Sequence, residues 1–285
     1  MEDHTVKFPM KMAKRIVLFC DLRNSTDILM DFGQGVYSGI EGSGEKVFTY
    51  ADFIMDVHET SYKELYLGHE NTYAEIYGDG VMGIFPEDNA KYILENIYRL
   101  TKRMRNYNDS QGVGVLKPRI DIGFGITVGD VSFVYYPLDK RNHPVGRCVH
   151  EAARIEWLSR LYDARVLISD RFFKFAENYI STDQRFSYRF IDRIILKGFR
   201  EPITLFEILI DNDPRFETKK NSQKEYSEAY SRYCRKEWTT AAELFQKIYQ
   251  EYGLGIGLVM AKRCDILSKS PPSLDWNGIW KMKDK

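Results

Sequence analysis

The 285-residue chain has no apolar run approaching the roughly 20 residues needed to cross a bilayer; its longest, such as Ile16–Cys20 and Leu254–Ala261, fall far short. It has no excess of charge. Lys and Arg together number 41, as do Asp and Glu, so no global field draws the chain to nucleic acid or an anionic membrane. Its four cysteines, Cys20, Cys148, Cys234 and Cys264, include no pair at the two-residue spacing of zinc or redox motifs, and read as reduced intracellular thiols. The opening residues, MEDHTVKFPMKMAKR, carry basic residues but no apolar stretch before a small-residue cleavage site. The expectation is a soluble cytoplasmic protein with neither nucleic acid nor membrane as a partner. What is present is a core: 44% hydrophobic residues, 17 Phe, 19 Tyr and 4 Trp against 29% charged residues describe a folded chain of one large or two modest units.

Along the chain, Arg15–Cys20 reads as a buried strand ending at Asp21, and Asn24-Ser25-Thr26-Asp27 supplies capping residues for a helix that follows at once. Residues 33–45 hold five glycines and suggest a surface loop able to act as a lid, ahead of a helix over Tyr50–Tyr66. Tyr73–Phe85 reads as a β-hairpin turning at Gly78-Asp79-Gly80, with a helix over Asn89–Tyr107 behind it. Arg119–Val128 predicts a strand that Gly129-Asp130 ends, with Val131–Tyr136 returning as its partner. Cys148–Leu161 has helical periodicity, Arg165–Ile168 is a strand, and Tyr188–Ile194 and Ile203–Leu209 form a hairpin about Lys197-Gly198. These elements predict an α+β domain over residues 10–212. From Asn221 onward, apolar residues recur at helical spacing like one helix-turn-helix repeat unit, giving a helical extension over residues 221–285 that packs on the core. The tryptophans of its tail, Trp276 and Trp280, are expected to seal an apolar surface.

The chemistry centres on Asp21 and Asp79, each at the end of a predicted strand. Two converging carboxylates suit a hard divalent cation such as Mg²⁺ or Mn²⁺, although each Asp taken alone reads more readily as a turn or cap residue. A helix N-terminus at Asn24, beside a metal-binding acid, forms a cradle of backbone amides for a polyphosphate. Arg154 and Lys197 can neutralise phosphate charge, or be surface cations.

Five stretches, in this order, resemble the class III nucleotidyl cyclases, the family of adenylate and guanylate cyclase catalytic domains. They are Val17–Thr26, Ile76–Phe85, Arg119–Asp130, Gly146–Glu156 and Leu196–Gly198. The resemblance covers about residues 15–210 and implies a ferredoxin-like class III core with a C-terminal helical extension. It implies that Asp21, Asp79 and the carbonyl of Leu22 bind two divalent metal ions, that the amides of Asn24, Ser25 and Thr26 hold phosphate, that Arg154 stabilises the transition state, and that Lys197 binds the terminal phosphates. It further implies a head-to-tail homodimer with sites at the interface, and cyclisation of a nucleoside triphosphate to a 3′,5′-cyclic nucleotide. One position departs: His150 stands where the family has a ribose-orienting asparagine.

Alternation along a strand puts Tyr73, Glu75 and Tyr77 on the face of Asp79. By resemblance, Glu75 and His143 occupy the two base-reading positions, yet the pair matches neither the adenylate nor the guanylate set. Tyr77, where a smaller aliphatic residue is usual, narrows the pocket or packs across the strands. This set is similar to the pyrimidine cyclases of bacterial Pycsar antiphage systems, which implies cyclic CMP or cyclic UMP as product and a separate cyclic-nucleotide effector. Guanylate cyclase, adenylate cyclase and a catalytically inactive nucleotide-binding protein are the alternatives.

Overall fold

The computed structural model describes residues 12–35, 49–66, 72–110 and 118–283, and the chain divides into two compact units at Ala152/Ala153. Most of the glycine-rich stretch 33–45 lies outside the described residues. In the first unit, β1 (Ala13–Leu22) leads into α1 (Ser25–Gly33). Then come α2 (Tyr50–Tyr66), the hairpin β2 (Tyr73–Tyr77) and β3 (Gly80–Pro86), α3 (Ala90–Asp109), and the hairpin β4 (Ile122–Tyr136) and β5 (Arg141–Val145). The helix α4 (Arg147–Leu161) carries the boundary between the units.

The sheet of the first unit is antiparallel in the order β2-β3-β1-β4, with β5 continuing from β4. Ile16, Val17 and Leu18 are fully buried in succession, as a central strand covered on both faces requires. Val17, Met82, Ile84, Val131 and Phe133 form one cluster with Cys148 and Ala152 of α4.

The expected strand end at Gly129-Asp130 is corrected. The strand β4 runs unbroken from Ile122 to Tyr136, and its partner is Arg141–Val145. Gly129 serves close packing rather than a turn, since a Cβ there would lie 2.7 Å from Cβ of Cys148 on α4. The Thr127 hydroxyl donates to Glu151 Oε1 at 2.6 Å and ties the same helix to the same strand.

The second unit contains β6 (Val166–Ser169), α5 (Asp170–Thr182), β7 (Phe186–Ile195) and β8 (Ile203–Ile210), then four helices and a short strand. These are α6 (Phe216–Asn221), α7 (Gln223–Cys234), α8 (Trp238–Tyr252), α9 (Ile256–Lys269) and β9 (Trp280–Lys281). Its strands order as β6-β8-β7-β9, with β9 parallel to β7. Ser169 caps α5 by accepting from Phe172 N–H, and Gly253 ends α8 in the left-handed region at φ +65°.

Leu167, Ile191 and Leu205 of this sheet share one core with Tyr226, Phe245, Met260 and Leu267 of the helices. The helical tail is therefore part of the unit's core. Trp276 meets the rings of Tyr233 and Trp238 edge-on, and both tail tryptophans pack against that core, as their apolar character predicts. Two buried charge networks lie within it. Arg263 of α9 donates to Asp192 of β7 and to the Tyr162 hydroxyl, and Tyr162 donates to Asp192 at 2.7 Å. Glu207 of β8 accepts from Arg189 at 2.7 Å, Lys219 at 2.6 Å and the backbone N–H of Arg165 at 2.9 Å. None of the four cysteines forms a disulfide.

Candidate functional site

The register of the first sheet decides which side chains meet. Asp21 of β1 pairs with Gly80 of β3, and Gly80 pairs in turn with Tyr77 of β2. Gly78-Asp79 is the two-residue turn between β2 and β3, with Gly78 at φ +61°, a conformation glycine adopts without steric cost. Asp79 therefore sits next to the residue opposite Asp21, and the two carboxylates share one end of the sheet. Gly80 has to lack a side chain: a Cβ there would stand 2.9 Å from Asp21 Oδ1 and 2.8 Å from the Cys20 carbonyl oxygen. Tyr50 of α2 reports the same juxtaposition. Burial, reinforced by the charges of Asp79 and Asp21, holds its phenol above the usual range. Among the described residues, no group of three or more His, Cys, Asp or Glu side chains gathers to hold a metal. The acidic pair with the Leu22 carbonyl at the strand end is the donor set present, and its all-oxygen chemistry fits a hard divalent ion that keeps positions for water and phosphate.

Beyond Asp21 the chain turns at once into α1. Asn24 caps the helix from the left-handed region (φ 58°, ψ 26°) without a side-chain capping bond, and its carbonyl accepts from Ile28 N–H at 2.9 Å. The amides of Ser25 and Thr26 thus lie in the first helical turn, directly beyond the acid-bearing strand end.

Two residue pairs further along the hairpin, Glu75 lies opposite Met82, which in turn lies opposite Phe19. Tyr73 and Tyr77 both donate their hydroxyls to Glu75 Oε2, at 2.6 Å and 2.7 Å. Burial first, and then the bond to Glu75, raises both phenols above their usual range. The rings pack as well, Tyr77 against Phe19 at 6.1 Å and Tyr73 against Phe133 at 5.4 Å, so Tyr77 combines strand packing with a polar contact. His143 of β5 brings Nδ1 to 4.0 Å from Glu75 Oε1, while its Nε2 bonds Asp139 at 2.5 Å. The hydrogen bond from His143 holds the Asp139 carboxyl below its ordinary value.

The cationic residues belong to the second unit. The Arg154 guanidinium lies 5.1 Å over the Phe199 ring, with Nη1 buried and without a hydrogen-bond partner. Lys197 is exposed in the turn after β7, and Gly198 beside it, at φ +76°, passes close under Arg154 Nη1. His150 is exposed on α4, one turn before Arg154. Within the first unit, then, Asp21 and Leu22 lead into α1 with Asp79 at the same end of the sheet, and Glu75, Tyr77 and His143 form a second group. Arg154 and Lys197 form a third group around Gly198 in the second unit.

Sequence reasoning missed Tyr50, Asp139 and Phe199. Asp139 had a usable signal, four residues before His143 within the turn Pro137–Lys140; no local pattern marks the other two. A cavity of about 470 Å³ between α2 and α3, lined by Val57, Leu100, Met104 and Ile122 among others, holds none of the predicted site residues.

No family model matches the chain. An adenylate cyclase of Anabaena cylindrica is 28% identical over 137 residues, which is 46% of this chain and 26% of that protein, so the chain spans about a quarter of that relative's length. Among solved structures, the adenylyl cyclase CyaB from P. aeruginosa superposes with a TM-score of 0.54 at 20% identity, over 71% of this chain and 96% of that one. A bacterial light-regulated adenylyl cyclase gives a TM-score of 0.53 at 13% identity, over 71% of this chain and 53% of that one. In fold the chain is similar to these solved adenylyl cyclases, and over less than half of its length it is similar in sequence to a curated adenylate cyclase.

Proposed function

We propose that the protein is a nucleotidyl cyclase, converting a ribonucleoside triphosphate to the 3′,5′-cyclic nucleotide and pyrophosphate. The observation that carries this reading is that Asp21, opposite Gly80, and Asp79, the neighbour of Gly80, share the end of the sheet from which α1 begins. Two divalent cations, Mn²⁺ or Mg²⁺, held by Asp21, Asp79 and the Leu22 carbonyl, would make the attacking hydroxyl more acidic and neutralise charge on the α-phosphate. The ribose 3′-oxygen attacks its own α-phosphorus; the bond to the bridging β-phosphate oxygen breaks, pyrophosphate leaves with the electron pair, and the hydroxyl proton passes to solvent. The amides of Ser25 and Thr26 orient the phosphate chain.

Arg154 supplies charge to the pentavalent phosphorus, and its unpartnered Nη1 marks a donor kept for an anion. Lys197 binds the terminal phosphates, and His150 takes the ribose-orienting place by donating a hydrogen bond. One chain carries both the acidic and the cationic groups, which supports a head-to-tail homodimer in which each site draws one set from each protomer.

Glu75, Tyr77 and His143 face the base. The tyrosine ring beside Glu75 favours a smaller base, so CTP or UTP is the substrate we favour, with a separate effector reading the product in antiphage defence. Glu75 itself favours the second reading, a guanylate cyclase. Among the described residues no helix is long and apolar enough to cross a membrane. The test is incubation with each of the four ribonucleoside triphosphates and Mn²⁺, followed by mass identification of products. Cyclic CMP or cyclic UMP is expected. Much faster use of GTP overturns the pyrimidine assignment, and no cyclic product from any of the four overturns the cyclase.

A further inference from the structure

We infer that Tyr73 and Tyr77 determine specificity against guanine by occupying one of the two oxygens of Glu75. The inference deepens the function proposed above and rests on its placement of Glu75 against the base. Each phenol has a single proton, and both are donated to Oε2, at 2.6 Å and 2.7 Å. A carboxylate oxygen accepts about two hydrogen bonds, so Oε2 is filled from within the protein.

Only Oε1 is left for the base, and it faces Nδ1 of His143 at 4.0 Å. Asp139 engages Nε2 of the same ring and so fixes which nitrogen is turned toward Glu75. A guanine edge presents two adjacent donors, N1–H and the 2-amino group, which match the two oxygens of an unencumbered carboxylate. Here one of the two donors would enter the pocket unpaired. The amino group of cytosine or adenine and the imide of uracil need a single acceptor, and Oε1 supplies it. The tyrosine rings stay in place through Phe133 and Phe19, so removing the hydroxyls changes the acceptor count without removing the walls.

The test is calorimetric binding of the four α,β-methylene nucleoside triphosphates, with Mn²⁺, to the full-length protein and to a Tyr73→Phe, Tyr77→Phe double variant of unchanged circular dichroism. The wild-type protein is expected to bind the guanosine analogue at least about tenfold more weakly than the cytidine analogue. The double variant should narrow that ratio by about tenfold, the scale of one hydrogen bond gained. Tyr77→Phe alone, at the more exposed ring, should move the ratio in the same direction and serves if the double variant does not fold. Equal wild-type affinity for the two analogues, a ratio unmoved in the variants, or no binding of any analogue overturns the inference. Binding that follows the expected ratios in a protein that forms no cyclic product removes the cyclase reading and leaves the specificity device standing.

Discussion

Asp21 and Asp79 lie 58 residues apart in the chain, yet the register that sets Asp21 opposite Gly80 brings them to one end of a sheet. Both were legible because each sits in a local pattern, a strand running into a capped helix and a two-residue hairpin turn. Tyr50 was not, because the packing of α2, and no spacing in the sequence, brings its phenol into the field of both acids. The Glu75 group was half legible: alternation placed Tyr73, Glu75 and Tyr77 on one face, but not the two hydroxyls sharing one carboxylate oxygen. For Arg154, stacked on Phe199 with one nitrogen unpartnered, the proposed use of that donor on charge developing in the transition state predicts that Arg154→Ala lowers kcat about 100-fold while shifting nucleotide affinity little. Arg154→Lys should restore little of that loss, since a lysine lacks the planar fork. Steady-state kinetics with parallel binding measurements checks both, and a loss confined to affinity would make Arg154 a ground-state contact.

Element boundaries followed the hydrophobic pattern wherever a run ended in a turn residue that turns, as at Gly78-Asp79 and Lys197-Gly198. They failed at Gly129, whose missing side chain admits α4 rather than reversing the chain. Sequence alone does not separate these two uses of glycine, because the second depends on a helix eighteen residues further on. Gly129→Ala should destabilise the first unit by about 1–3 kcal/mol through overpacking, measured by denaturant unfolding. Cys148→Ala should not rescue it, because the clash is with the Cβ that alanine retains.

In the second unit, β8 is anchored through Glu207. Burial works to raise that carboxyl, but the charges of Arg189 and Lys219, with the Lys219 and Arg165 hydrogen bonds, outweigh it and hold the group at about 2. A lowered folded value means stability present in full above the unfolded value of 4.5 and lost as the pH falls toward 2. Glu207→Gln should cost about 3–5 kcal/mol at neutral pH by leaving buried cations uncompensated. It should also flatten the fall in stability across that acid window, as followed by unfolding at stepped pH; an unchanged acid profile would contradict the linkage.

At the scale of the whole molecule, the composition conveyed a folded chain with balanced charge, and the order of five short stretches conveyed the α+β cyclase fold. The helical tail was only partly legible. Its periodicity announced helices, but its joining of one core with β6, β7 and β8 depends on long-range pairs such as Arg263 with Asp192, which no local pattern encodes. If two protomers complete each other's sites head to tail, inactive Asp21→Ala and inactive Arg154→Ala proteins mixed in equal amounts should regain about a quarter of wild-type activity, half the dimers being mixed and each having one intact site. No recovery after subunit exchange would contradict shared sites.

The joint role proposed for Asp21 and Asp79 is tested most directly by the rate of cyclic nucleotide formation, with Mn²⁺ and the preferred triphosphate, in Asp79→Asn against wild type. With the fold retained by circular dichroism, the rate should fall by about 100-fold or more. A rate within twofold of wild type would contradict the shared role of the two carboxylates.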